Sequence, residues 1–150
     1  EDLMKQLRKL TQERNKIMKI YFAGAIIGGR EKVEDYIKIV NKLEEYGEVL
    51  TKHVADPNLS VKGEDLTLEE IYLRDIKWLN EADILFAEST TPSLGVGYEM
   101  AYAENLGKKV VCMYEKDKNV SGFIRGNNNL IQIPYTNVEE LITKIEEIIK

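Results

Sequence analysis

The sequence predicts an α/β fold in which a parallel sheet is covered by helices on both faces, and three observations carry that expectation. The short apolar runs MKIYFAG, DILFAES and KKVVCMY read as strands buried on both sides, as parallel sheets require. Amphipathic stretches separate these runs, so that strand and helix alternate along the chain. A length of 150 residues, 43% of them hydrophobic and 31% charged, suffices for one core without disulfides or a structural metal.

Leu3, Leu7 and Leu10 recur at helical spacing among charges, so residues 1–17 read as an amphipathic helical extension to a single domain spanning residues 18–150. This extension carries no hydrophobic signal-peptide core. Residues 18–24 form the first strand, residues 31–46 a helix closed by Gly47, and residues 48–54 (EVLTKHV) a second strand. The polar, turn-rich residues 55–66 read as a loop. Thr67 and Glu70 make a capping box that opens a helix to about Asn80, because each side chain satisfies an orphan N–H of the other. The third strand, residues 83–89, is followed beyond PSLGVGYE (92–99) by a helix to about Leu106 that Gly107 stops. The fourth strand covers residues 108–114, a loop runs through residues 126–129, and a strand LIQI (130–133) precedes a last helix from Val138.

Five strands in this alternation suit a flavodoxin-like (Rossmann-like) three-layer sandwich of strand order 2-1-3-4-5, where ligands bind at the carboxyl ends near the switch between strands 1 and 3. Most of the unusual residues collect at those ends: residues 23–30, His53, residues 88–99 and residues 116–125. In AGAIIGGR, Gly24, Gly28 and Gly29 serve either plain turn chemistry or a cradle whose N–H groups approach an anion. In PSLGVGYE, Ser93, Gly95 and Gly97 can wrap an anion at a helix N-terminus while Glu99 projects from the first turn. Glu99 is then either a complement to the helix macrodipole or a functional carboxylate. Asp75 stands mid-helix in YLRDIKWLN, where aspartate has poor propensity. It either pairs with Arg74 or Lys77 on a solvated face or turns toward the strand ends. There, with Glu99, it forms the carboxylate pair that acid-assisted displacement at an anomeric carbon uses.

With 21 basic against 26 acidic residues, a net charge of −5, the chain has no duplex-sized phosphate-binding face, so nucleic acid is not an expected partner. No apolar run approaches the roughly 20 residues of a membrane span, so a membrane is not expected either. Cys112, the single cysteine, reads as a buried thiol and excludes a disulfide framework or thiolate zinc site, which fits a cytoplasmic setting. No metal and no cofactor is expected.

Five blocks in order, YFAGAIIGGRE (21–31), LTKHVAD (50–56), RDIKWLNEADILFAE (74–88), PSLGVGYE and SGFIRG (121–126), together resemble the 2'-deoxynucleoside 5'-monophosphate N-hydrolase family, related to nucleoside 2-deoxyribosyltransferases. The likeness spans Met18 to Lys150. It implies hydrolysis of the N-glycosidic bond to free base and 2-deoxyribose 5-phosphate. By the resemblance, Glu99 would attack C1' and form a covalent deoxyribosyl intermediate that water then hydrolyses. Asp75 would protonate the leaving base and assist the water, and Tyr21 would sit near the sugar and disfavour a 2'-hydroxyl. Ser93 and the amides around Gly95 and Gly97 would hold the 5'-phosphate. Ser121 would reach a neighbouring subunit's phosphate site, which implies a homodimer with a shared active site. Further substrate contacts are implied at Gly24, Ile26, Gly28, Gly29, His53 and Phe123.

Typical members read Gly-Ser-Ile-Arg-Gly-Gly-Arg after the first strand, whereas Ala25 and Ile27 stand here at the serine and first arginine positions. Two polar phosphate contacts are missing, each worth roughly 1.5–3 kcal/mol when charge-assisted, which points to weaker phosphate affinity or a shift toward unphosphorylated nucleosides. His53 serves either packing or substrate contact. A deoxyribosyltransferase shares the nucleophile and differs in its acceptor, and a nucleotide-binding protein without turnover is the reading from another class. Cleavage of ribonucleotides is a further alternative, against which Tyr21 argues.

Overall fold

The computed structural model describes residues 2–14, 16–26, 30–59 and 64–150. Strands β1 (Lys19–Gly24), β2 (Glu48–Val49), β3 (Ile84–Glu88), β4 (Lys109–Glu115) and β5 (Ile131–Tyr135) form one sheet of order β2-β1-β3-β4-β5. Every neighbouring pair is parallel, as the alternation requires. The helices are α1 (Asp2–Arg14), α2 (Val33–Glu44), α3 (Leu68–Glu81), α4 (Leu94–Asn105), α5 (Gly122–Arg125) and α6 (Val138–Ile149). Among the described residues no helix is long and apolar enough to cross a membrane.

Because successive strand side chains point to opposite faces, the sheet separates two cores. Ile20, Phe22, Phe86, Val111, Met113 and Ile133 pack against Tyr36, Ile39 and Leu43 of α2 and Leu141 and Ile145 of α6. Tyr21, Ala23, Leu85, Ala87, Val110 and Cys112 pack on the other face against Leu79 of α3 and Val96, Met100 and Ala103 of α4. The alternation thus aims Tyr21 at the α3 and α4 side.

Several boundaries differ from the sequence expectation. The second strand is two residues long and not seven, because the Thr51 hydroxyl accepts from Phe22 N at 2.8 Å and donates to Phe22 O at 2.6 Å. A side chain thereby takes the backbone's place in the ladder, and the chain turns into a single 3₁₀ turn, Lys52–Ala55, that carries His53. Helix α1 covers Asp2–Arg14, and Leu3, Leu7 and Leu10 along it are exposed. A 3₁₀ turn, Arg30–Lys32, precedes α2. The expected loop after the fourth strand contains α5, capped by Ser121, whose hydroxyl accepts from Phe123 N at 3.3 Å.

Other signals act as expected. Thr67 caps α3 by accepting from Glu70 N at 3.1 Å, one half of the expected box. Gly107 ends α4 at φ 76°, with its N–H donating to Glu104 O and that of Lys108 to Ala103 O. Gly47 answers a steric demand, since a Cβ there would lie 2.4 Å from Met18 O, where the second strand comes alongside the first. In β5, Pro134 has no N–H to offer, and its carbonyl accepts from Lys144 Nζ at 3.0 Å.

Candidate active site

Helix α4 begins at Leu94 and not after Glu99, because Ser93 caps it: the Ser93 hydroxyl accepts from Val96 N at 3.3 Å and its carbonyl from Gly97 N at 3.2 Å. Gly95 and Gly97 therefore lie within the first turn rather than in a loop before it. Ser93 consumes the Gly97 amide, so the first-turn N–H groups left to face an anion are those of Leu94 and Gly95. Glu99 falls in the second turn, deeper than a macrodipole partner needs to be. The buried Tyr21 hydroxyl, from the middle of β1, faces the Glu99 carboxylate as a hydrogen-bond donor. A Cβ on Gly95 would lie 3.8 Å from both Glu99 Oε1 and Ser93 Oγ, so the glycine keeps the space between hydroxyl and carboxylate open.

Burial pushes Glu99 up to about 7, the Asp75 charge adds to the rise, and the Tyr21 hydrogen bond and the Arg74 charge oppose it. Tyr21 is held far above the usual phenol range, first by burial and then by the charges of Glu99 and Asp75. Asp75 is also raised, by burial, against the pull of Arg74. Asp75 pairs with Arg74, and its charge raises both Tyr21 and Glu99.

The ion pair is larger than the sequence indicated. Arg74 reaches Asp75 Oδ1 through Nε at 3.0 Å and Nη2 at 2.9 Å, and its Nη1 and Nη2 grip the two oxygens of Glu64, the latter at 2.8 Å. His53 Nε2 lies 3.2 Å from Glu64 Oε1 and 3.4 Å from Arg74 Nη2. The Arg74 guanidinium stacks 4.8 Å over the Trp78 ring, itself 5.7 Å from the His53 ring. His53 is thus joined to Asp75 through Arg74. Glu64 is the residue that sequence reasoning missed, since it lies in a polar loop with no periodicity to mark it.

Beside α4 a groove of about 1080 Å³ runs between its N-terminal half and α5, and Ser93, Gly97, Ser121 and Phe123 line it. Tyr21, Asp75 and Glu99 are not among its lining residues. The structure brings Tyr21, Asp75, Glu99 and, through Arg74, His53 together, sets Ser93 beside Glu99 across Gly95, and lines the groove with Ser93, Ser121 and Phe123. Gly24 belongs to neither group by its contacts: a Cβ there would meet the Tyr36 ring at 2.9 Å, so this glycine makes room for a core tyrosine. Ile26 packs against the α2 core, and Ala25 is buried with its carbonyl accepting from Tyr36 Oη at 3.3 Å. Gly28, Gly29 and Ile27 lie outside the described residues. Among the described residues no group of three or more acidic, histidine or cysteine side chains could hold a metal ion.

A second acidic site occupies the same sheet end on the opposite face. Glu88 accepts from Tyr135 Oη at 2.8 Å, Thr90 N at 2.6 Å and Thr90 Oγ1 at 3.2 Å, with Lys32 Nζ at 3.5 Å. Lys32 also stands 3.5 Å from Glu115 and from Asp35. Burial works to lower Lys32, and these three carboxylates outweigh it and hold the ammonium above its ordinary range.

Known proteins share this arrangement's frame. Residues 20–139 match the family model described as nucleoside 2-deoxyribosyltransferase. The chain is 42% identical over 140 residues to a 5-hydroxymethyl-dUMP N-hydrolase of Esox lucius, covering 89% of this chain and 97% of that protein. It is 43% identical over 135 residues to a 5-hydroxymethyl-dUMP N-hydrolase of Danio rerio, covering 87% and 94%. Two solved structures have the same fold: the Clostridium botulinum CMP N-glycosidase BcmB, with TM-score 0.68 and 22% identity over 87% of this chain and 98% of that one, and BlsM, with TM-score 0.72 and 19% identity over 89% and 90%. On the family match and on relatives this similar across nearly their whole length, the chain belongs to the nucleoside 2-deoxyribosyltransferase family.

Proposed function

We propose that the protein is an N-glycosidase that hydrolyses 2'-deoxynucleoside 5'-monophosphates to free base and 2-deoxyribose 5-phosphate. What supports this reading is the Glu99 carboxyl beside the Ser93 cap of α4, with the buried Tyr21 hydroxyl facing it, Asp75 acting on both and burial pushing Glu99 up to about 7. Its relatives named as N-hydrolases supply the reaction class. Glu99 attacks C1', a C–O bond forms as the C–N bond breaks, and the proton of Asp75 goes to the departing base. Water then gives its proton to Asp75 and its hydroxyl to C1', which releases Glu99. In this reading Tyr21 keeps the nucleophile in place and crowds a 2'-hydroxyl.

Ser93 and the Leu94 and Gly95 amides of α4 receive the 5'-phosphate, where helix N–H groups and hydroxyl favour an anion. Loss of serine and arginine at Ala25 and Ile27 weakens that hold relative to typical members. A homodimer fits the exposed Leu94 and Phe123 at the groove that Ser121 lines, and sedimentation of the purified protein would read it directly. The buried Cys112 thiol suits a cytoplasmic setting.

The test is base release from the four deoxynucleoside 5'-monophosphates and the matching nucleosides, followed by chromatography, with Glu99→Gln beside the parent. Release falls on the order of 10⁴-fold in Glu99→Gln. Equal release in both proteins would remove Glu99 from the reaction, and a new nucleoside formed when a second free base is added would make the protein a transferase.

A further inference from the structure

Arg74 does more than close a surface ion pair. Its side chain is 22% exposed, that of Glu64 10% and that of Asp75 27%, so the three charges sit at the wall of the site and not in open solvent. The guanidinium uses one edge for Asp75, at 2.9 and 3.0 Å, and both terminal nitrogens for Glu64, while its face lies 4.8 Å from the Trp78 ring. A planar fork held on two edges and one face has little freedom left, unlike an exposed pair between flexible chains. Because Asp75 follows Arg74 directly on α3, fixing the guanidinium fixes the carboxylate next to it.

We propose that Arg74 is a positioning residue for the carboxylate pair: clamped by Glu64 and laid over Trp78, it orients the Asp75 carboxylate at the wall of the site. The consequence for turnover rests on the N-glycosidase reading, whereas the consequence for the free protein does not. The groups facing the pair are Tyr21 from β1, Arg74 from α3, Glu64 from the loop before α3 and His53 from the 3₁₀ turn after β2. Arg74 draws both carboxyls toward the ionised form and Glu64 pushes both the other way. Removing one or the other must therefore move the pair in opposite directions, which a purely structural role would not do.

The experiment follows the side-chain carboxyl signals of Asp75 and Glu99 by carbon NMR through a pH titration of the full chain. It is run on the parent, Arg74→Gln, Arg74→Lys and Glu64→Gln, alongside the pH profile of base release. In Arg74→Gln both midpoints and both limbs of the profile move to higher pH, and the rate below the acid limb falls about tenfold for each pH unit moved. In Glu64→Gln they move to lower pH. Arg74→Lys returns the midpoints toward the parent, since the charge is restored, while kcat stays low, since the fork is not. Unmoved midpoints in Arg74→Gln, or shifts of the same sign in Arg74→Gln and Glu64→Gln, overturn the proposal. Should Arg74→Gln fail to fold, the direction of the Glu64→Gln shift decides. Should none of the proteins release base, the glycosidase reading falls and the NMR midpoints still decide the role of Arg74.

Discussion

Glu88, buried, and Glu99, half-buried, are acids near the same end of one sheet, on opposite faces, and their surroundings differ sharply. Glu88 has two hydroxyl donors, one backbone N–H and an ammonium within 3.5 Å, and its residue is 1% exposed. Glu99 has the Tyr21 hydroxyl, is opposed by the Asp75 charge and is pushed up to about 7. A buried carboxyl surrounded by donors is part of the scaffold, whereas one left short of donors stays reactive near neutral pH. The difference separates what holds the sheet end together from what acts there.

If Asp75 is the acid, the pair must hold one proton. The pair loses its proton as pH rises through about 7, where Glu99 ionises, and the rate falls, and at low pH both carboxyls are protonated and it falls again. Asp75→Asn should cost roughly 10²–10⁴-fold in kcat and erase the basic limb. A parent rate that instead climbs through 7 and stays high would take the acid role from Asp75.

Removing the scaffold acid breaks the other side of the comparison. Glu88→Leu leaves Tyr135 Oη and Thr90 without their acceptor and Lys32 without its buried partner, a loss of about 3 kcal/mol. Denaturant melts should show it as a lower midpoint with an unchanged slope, and kcat at 25 °C should hold. Glu99→Gln should do the reverse. A carboxyl raised in the folded state stabilises the fold below its unfolded value near 4.5, and that stability is lost as pH rises through about 7. The amide does not pay for ionisation, so the variant gains on the parent between pH 5 and pH 8 by at most about 3 kcal/mol. A gap constant with pH would mean that Glu99 ionises at its ordinary value. Tyr21→Phe has the smallest expected effect, a drop of about tenfold in the preference for deoxyribose over ribose substrates. An unchanged ratio would leave Tyr21 with Glu99 alone.

The strand order was legible because apolar runs and helices alternate with Gly47 and Gly107 as punctuation, and each glycine meets a local demand that sequence can express. Asp75 stood out for a similar reason, as an aspartate where helix propensity gives it no place. What stayed hidden depended on side chains meeting across the fold. Thr51 cuts the second strand short with a hydroxyl that no pattern of hydrophobicity records. Glu64 reaches Arg74 from a loop ten residues upstream, and Lys32, Glu88 and Tyr135 converge from three separate elements. The start of α4 was displaced because Gly95 and Gly97 look like loop residues until Ser93 is seen capping them.

The two ends of the sheet order also bear on how copies of the chain can meet. β2 presents two residues before Thr51 closes the ladder, and β5 carries Pro134, which has no hydrogen to donate and whose carbonyl is occupied by Lys144. Neither border can template a sixth strand, so edge-to-edge stacking into fibres is blocked from both sides. Self-association is left to the helical flanks, where contact can remain finite and reversible.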